Sequence, residues 1–294
     1  MVIAIYGSRR QDPYLDTLTS FFEQLKCRHI DVVMHSKLYN YLEPLIAPGA
    51  LDCVAAVSDD GDSAFEADLA VSIGGDGTFL RAAAWVGCRE TPIVGINTGH
   101  LGYLAEFSAS DLDSLLSSIK TGEVYTERRT LLQVSTDAGV ALTNRFALND
   151  VAIIKNASAS MLAMHATIDS TPLTTYLGDG LIVATPTGST AYNLSVGGPI
   201  IHPSGACLVM SPIAAHSLTM RPLVLPDDVE ISIHTCSERS HTFRLSIDGE
   251  SLSLPMGSTV KMRKADFGVR VVLRRDHDFA QTLRSKLMWG IDVR

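Results

Sequence analysis

One short stretch constrains this chain more than any other: Val71-Ser72-Ile73-Gly74-Gly75-Asp76-Gly77-Thr78-Phe79-Leu80-Arg81. Its lead-in, 68–73, has the length and apolar content of a buried parallel-sheet strand. From Thr78 to about Val86, alanine and leucine predict a helix. Three glycines between them let a ligand come close to the backbone. N–H groups at a helix start suit phosphate. A carboxylate there repels phosphate, so Asp76 needs a task of its own: holding a metal, or taking a proton from an attacking hydroxyl. Glycine turns are also plain structural punctuation, so the rest of the chain has to decide.

The first 124 residues repeat the theme. Strands are predicted at 2–6, 30–34, 68–73 and 92–97, with helices after Asp12-Pro13 (Asp as cap, Pro at the first helical position), at 36–45, 78–86 and after Ser110, the last ending before Gly122. Alternating strands and helices predict an α/β domain with an open, mostly parallel sheet. Its ligands bind beyond the carboxyl ends of the strands, where Asp76 and the 97–103 segment fall. From about residue 125 the pattern becomes mostly β. A hairpin is predicted from 131–135 and 140–148, then strands at 151–155, 161–168, 181–184, 207–210, 229–236, 242–247, 259–263 and 269–273. A helix at 279–289, capped by Asp278, closes the pattern. The expected domains are 1–124, 125–276 and a terminal segment 277–294 that returns to the first.

The stretch 176–199 is dense in hydroxyls and glycines and carries one charge, Asp179. Its buried polar groups need partners in the protein or in a ligand. Gly188-Ser189-Thr190 reads as a helix start, presenting hydroxyls and N–H groups together. Asn149-Asp150, between apolar runs, offers donors and acceptors suited to adenine edges and ribose hydroxyls, or a turn.

Composition excludes several classes. Net charge is −8 and the pI about 5.5, which argues against a nucleic-acid or anionic-membrane partner. No apolar run reaches membrane-spanning length, and the N-terminal run lacks the features of a signal peptide. Five scattered cysteines without Cys-x-x-Cys read as reduced core thiols of a cytoplasmic protein.

With these residues in view, the chain resembles the bacterial ATP-dependent NAD kinases. The resemblance runs from about Val71 to Leu252. It rests on Gly74-Gly75-Asp76-Gly77-Thr78, Gly95-Ile96-Asn97-Thr98-Gly99-His100-Leu101-Gly102-Tyr103, Asn149-Asp150, Gly178-Asp179-Gly180, Thr185-Pro186-Thr187-Gly188-Ser189-Thr190-Ala191-Tyr192 and Gly197-Gly198-Pro199 in that order. The family's fold is an α/β domain plus a β-sandwich-like domain. The resemblance implies phosphoryl transfer from ATP to the 2′-hydroxyl of the adenosine ribose of NAD, with Asp76 as general base. Gly74, Gly75, Gly77 and Thr78 would face the donor phosphates, with a divalent ion such as Mg²⁺ screening charge and no metal-ligand set named on the chain. Arg81 either reaches a phosphate or is an exposed helix charge. Tyr103 either lies near the adenine or is core. Asn149 and Asp150 would hold the adenosine, with Asp where most relatives have Glu. Asp179 would lie near the nicotinamide ribose. Thr190, Ala191, Tyr192, Asn193, Leu194 and Ser195 would line the dinucleotide, and Ala214 would contribute a backbone contact. Asp248-Gly249-Glu250 is a turn close to the site or a plain hairpin. Family members form homo-oligomers, usually tetramers. Two other readings compete: a non-catalytic NAD(H)-sensing regulator, and a lipid or sugar kinase with the same glycine turn.

Overall fold

The computed structural model describes residues 1–9, 11–60, 65–98, 102–108, 111–120, 125–156 and 161–290. The chain divides into two compact units: 1–128 with 269–294, and 129–268.

The first unit contains strand β1 (Val2–Gly7), helix α1 (Leu15–Cys27), β2 (Asp31–His35), α2 (Ser36–Leu42), β3 (Val54–Ser58), β4 (Leu69–Ile73), α3 (Asp76–Val86), β5 (Ile93–Asn97), β6 (Phe107–Ser108) and α4 (Leu112–Lys120). The strands stand in the order β3-β2-β1-β4-β5, all neighbours parallel. Parallel pairing forces each strand to run to its carboxyl end before a helix carries the chain back. The ends of β4 and β5 therefore lie side by side. Both strands are buried along their whole length, which explains their unbroken apolar composition. Helix α1 buries Leu18, Phe21, Phe22 and Leu25, at the spacing of one helical face. They pack with Ile3, Ile5, Val71 and Ile73 of the sheet.

The second unit follows. It contains β7 (Tyr125–Thr136), in which the chain leaves the first unit, then β8 (Phe146–Ala147), β9 (Asp150–Lys155), β10 (Leu162–Ile168), β11 (Thr171–Gly178) and β12 (Gly180–Ala184). Short helix α5 (Tyr192–Ser195) is next, then β13 (Cys207–Ile213), β14 (Leu223–Pro226), β15 (Ile231–Cys236), β16 (Thr242–Ile247), β17 (Glu250–Pro255) and β18 (Thr259–Leu273), in which the chain re-enters the first unit. The last helix is α6 (Phe279–Leu287). One antiparallel sheet has the order β14-β13-β12-β9-β16-β17, and β10 pairs with β11 and β15, and β15 with β18. Alternate residues of both sheets, such as Leu181, Val183, Met164 and Ile233, meet in one core, the pattern of a sandwich. The opposite residues of β12, Ile182 and Ala184, pack with Ala152, Val209, Val196 and Ile201.

Several expectations change. Asp12 does not cap α1; it begins a 3-10 turn, Asp12–Tyr14, and α1 starts at Leu15 without a side-chain cap. The hairpin partner of β7 is only Phe146–Ala147. The strands expected at 259–263 and 269–273 are one strand, β18, whose polar middle looks like a break in the sequence. Strands β3, β11, β14 and β17 have too little apolar alternation to be predicted: β3 exposes three of its five residues and β17 four of its six. The cysteines are unpaired, but Cys27, Cys88 and Cys236 are exposed rather than core thiols. The Ser110 cap, Gly122 and the 99–101 part of one motif lie outside the described residues. Among the described residues, no helix is long and apolar enough to cross a membrane.

Candidate active site

In the first unit the chain turns sharply after β4. Gly74 has φ +148°, and a Cβ there would sit 2.5 Å from the Thr78 hydroxyl, so glycine is required. Its N–H donates to Ile96 at the end of β5 (2.9 Å), and Gln11, fully buried, donates to Ile73 (3.2 Å). These bonds fix the edge on which the turn stands. Helix α3 then begins at Asp76. Thr78 is buried and its N–H is taken by the Gly75 carbonyl. The N–H groups of Gly75, Asp76 and Gly77 have no partner among the described residues. A Cβ on Gly75 or Gly77 would meet nothing within 4 Å. Three open donors at a helix start, with room for a ligand to reach them, form an anion cradle.

The Asp76 carboxylate is held from one side. Oδ2 accepts from the Tyr103 N–H (2.7 Å), and Oδ1 accepts from Leu104 (3.0 Å) and Ala105 (3.3 Å). Gly102 packs directly against it: a Cβ there would lie 1.9 Å from Oδ1. An ionised carboxylate has about four acceptor positions. Three are filled, and one on Oδ2 remains for an outside donor. Arg81 is exposed, and its charge acts on the Tyr6 hydroxyl. The Tyr103 hydroxyl is buried without a partner among the described residues, and burial raises its pKa, with the Asp76 charge adding to the rise.

The second unit builds another constellation, at one end of β9 and β12. Asp248, in the β16–β17 turn with φ +48°, accepts from three consecutive N–H groups: Leu148 to Oδ2 (2.7 Å), and Asn149 (2.8 Å) and Asp150 (3.0 Å) to Oδ1. Its own N–H donates to the Asp150 carbonyl (3.0 Å). The Thr185 N–H donates to Asn149 (2.9 Å), its hydroxyl caps the Leu148 carbonyl, and Gly188 packs on the Asn149 backbone. The Asn149 carboxamide has no partner among the described residues. Asp150 is 7% exposed. Burial, then the neighbouring Asp248 charge, pushes its pKa up to about 7, against a bond from the Tyr192 N–H that favours the ionised form. Burial likewise pushes Asp248 up to about 6, opposed by the three N–H bonds.

The remaining expected residues fall into three groups. Thr190, Ala191, Tyr192, Leu194 and Ser195 follow the Asn149 end through a 3-10 turn, Thr187–Thr190, and α5, with Tyr192 39% exposed. Asn193 is fully buried, and its carboxamide is spent internally: it donates to Ser189 and Pro199 (3.1 Å each) and accepts from the Ser211 hydroxyl (2.6 Å). Its side chain shapes the segment from inside. Asp179 and Ala214 stand at the other end of β12. The Asp179 N–H donates to Ile213 (3.0 Å), and its carboxylate pairs with Lys155 (2.7 Å). Six residue steps of extended chain, through β12, separate Asp179 from Thr185, on the order of 20 Å. A single copy of this unit therefore does not bring Asp179 beside Asn149. Two residues carry no signal strong enough to assign them from sequence: Asp248, which looks like any Asp-Gly turn, and Lys286, which looks like any surface lysine of a terminal helix.

An open parallel sheet with an anion cradle and a carboxylate at its strand ends, joined to a β-sandwich that presents amide, hydroxyl and carboxylate groups, defines a phosphotransferase acting on a nucleotide. Comparison with known proteins makes the class specific. Residues 14–124 match the family described as ATP-NAD kinase N-terminal domain, and 148–273 the ATP-NAD kinase C-terminal domain. The NAD kinase of Bacteroides fragilis is 40% identical over 296 residues, covering 100% of both chains. That of Porphyromonas gingivalis is 39% identical over 293 residues, 99% of both. Among solved structures, an NAD kinase from Archaeoglobus fulgidus in complex with ATP is similar at a TM-score of 0.69 and 25% identity, over 94% of each chain. Yeast NADH kinase complexed with NADH shares the fold at a TM-score of 0.88 and 24% identity, over 100% of this chain and 89% of that one. The chain belongs to the NAD kinase family, and its activity is that family's phosphoryl transfer. The lipid- or sugar-kinase and sensor readings give way to it.

Proposed function

We propose that this chain transfers the γ-phosphoryl group of ATP to the 2′-hydroxyl of the adenosine ribose of NAD, with Asp76 as general base. The observation that carries the reading is Asp76 beside three open N–H donors, with one lone pair of Oδ2 uncommitted. In the reaction the 2′-oxygen forms a bond to the γ-phosphorus. The bond from that phosphorus to the β–γ bridging oxygen breaks, ADP leaves, and the hydroxyl proton passes to Oδ2. The N–H groups of Gly75, Asp76 and Gly77 receive phosphate oxygens without reorganising. Asn149 and Asp150 hold the adenosine. Asn149 has a free carboxamide, and Asp150, once ionised, accepts from ribose hydroxyls. Aspartate is one methylene shorter than glutamate, so a water can complete that contact.

No group of three or more His, Cys, Asp or Glu side chains able to hold a metal occurs among the described residues, and Asp76 has only one acceptor position left. A divalent ion would be carried by the donor phosphates, where it would screen their charge.

The distance along β12 between Asp179 and Asn149 supports a homo-oligomer in which a second copy supplies the Asp179 and Ala214 end. Five unpaired cysteines support a reducing, cytoplasmic location. The test uses ATP, Mg²⁺ and NAD, with an NAD analogue lacking the 2′-hydroxyl. NAD should yield a product phosphorylated on the 2′-oxygen, and the analogue should bind without reacting. Phosphorylation of the analogue would refute the assigned hydroxyl.

A further inference from the structure

The loop that orients Asp76 is itself held from the terminal helix. Lys286, near the end of α6, donates from Nζ to the Gly102 carbonyl. Gly102 lies against the Asp76 carboxylate, and the next three N–H groups bind it. The chain of contact is short: ammonium, Gly102 peptide, carboxylate. Helix α6 has no fully buried side chain; its apolar stripe, Phe279, Leu283 and Leu287, is half-buried. At its start, Asp278 caps the Ala280 N–H (2.9 Å) and His277 pairs with Glu106 (2.5 Å). Lys286 ties the far end of the helix to the loop that holds Asp76. A cleft of about 240 Å³ lies beside it.

We infer that Lys286 is a positioning residue for phosphoryl transfer: by holding the Gly102 carbonyl it fixes the 102–105 loop that orients Asp76, and it keeps a positive charge next to that carboxylate. The inference rests on Asp76 being the proton acceptor. Among the described residues, the charged groups facing Lys286 are Asp76 from α3, Glu106 before β6, and Arg274, Asp276, His277 and Asp278 on the approach to α6. Burial lowers the lysine's pKa, while Asp76 and Glu106 oppose the fall. The ammonium is therefore lost at a lower pH than for an ordinary lysine, and the tie weakens on the alkaline side.

The experiment compares full-length wild type, Lys286→Met and Lys286→Arg. It reads kcat, KM for NAD and ATP, the pH profile, and amide exchange at Tyr103, Leu104 and Ala105. Lys286→Met should lower kcat by about 10- to 100-fold, the usual effect of a slightly misplaced catalytic group, with little change in either KM. Exchange at the three amides should quicken. Lys286→Arg should restore most of kcat and move the alkaline limb to higher pH. Unchanged kcat or unchanged exchange in Lys286→Met would overturn the inference, as would an arginine variant as impaired as the methionine one. The exchange result is independent of chemistry. If Asp76→Asn kept full turnover, the general-base reading would fall while the loop result still stood on its own.

Discussion

Asp76 in the first unit and Asp248 in the second make the same set of bonds. Each accepts one N–H on Oδ2 and the next two on Oδ1, from Tyr103-Leu104-Ala105 and from Leu148-Asn149-Asp150. Each precedes a glycine. Their surroundings separate them. Asp76 starts a helix beside open ground, where side chains on Gly75 and Gly77 would touch nothing. Asp248 stands in a hairpin turn, next to the buried Asp150. Both carboxylates are half-buried; what differs is the neighbour, open helix-start N–H groups for Asp76 and a second, buried carboxylate for Asp248. In both cases the carboxylate spends most of its acceptor capacity on making a loop rigid.

That contrast can be broken most sharply at Asp76. Asp76→Asn should lower kcat by roughly 10²- to 10⁴-fold, the usual contribution of a general base, and leave NAD binding by calorimetry nearly unchanged. Gly102→Ala is next. Its Cβ would press on Oδ1, so kcat should fall by about 10²-fold without loss of thermal stability in the second unit. Gly75→Ala, pointing into the cradle, should instead raise KM for ATP. Asp248→Ala should act in the opposite sense. It leaves three N–H groups without their acceptor, and so should destabilise the second unit by about 2–4 kcal/mol in denaturant titration and raise KM for NAD more than it lowers kcat. A large kcat loss at unchanged stability would erase the distinction between the two carboxylates.

The smallest effect is a pH dependence. Asp150 and Asp248 have folded pKa values of about 7 and about 6, above the ordinary carboxylate range of about 4. The folded unit therefore holds more protons than the unfolded chain between those limits. Stability from these groups is fully present below about pH 4 and is lost as pH rises through 6 to 7. Asp150→Asn should flatten this fall in a thermal melt series without nucleotide. If Asp150 accepts from the ribose hydroxyls as proposed, NAD should bind more tightly as pH rises through the same window.

Much of this molecule is legible in the sequence, for physical reasons that differ by region. Strands β4 and β5 are buried on both faces, so they read as unbroken apolar runs, and three glycines around one carboxylate mark the turn between β4 and α3. The sandwich is harder to read. Strand β18 carries Lys264 and Asp266 in its middle, and β17 is mostly exposed, so neither shows a clean alternation. The site residues divide in the same way. Asp76 stands out because a carboxylate contradicts a phosphate turn. Asp248 and Lys286 act through backbone groups of distant segments, and backbone partners leave no mark in a single sequence. Asn193, an amide in the segment expected to line the dinucleotide, turns its side chain inward, which the sequence does not signal.

The most direct measurement is a crystal structure of the full-length enzyme with NAD and a non-hydrolysable ATP analogue. The account predicts Asp76 Oδ2 within about 2.6–3.2 Å of the adenosine 2′-oxygen, with the Tyr103, Leu104 and Ala105 bonds intact. A 2′-oxygen beyond the reach of Oδ2 even through one water, or a fourth protein donor closing that oxygen's last lone pair, would contradict it.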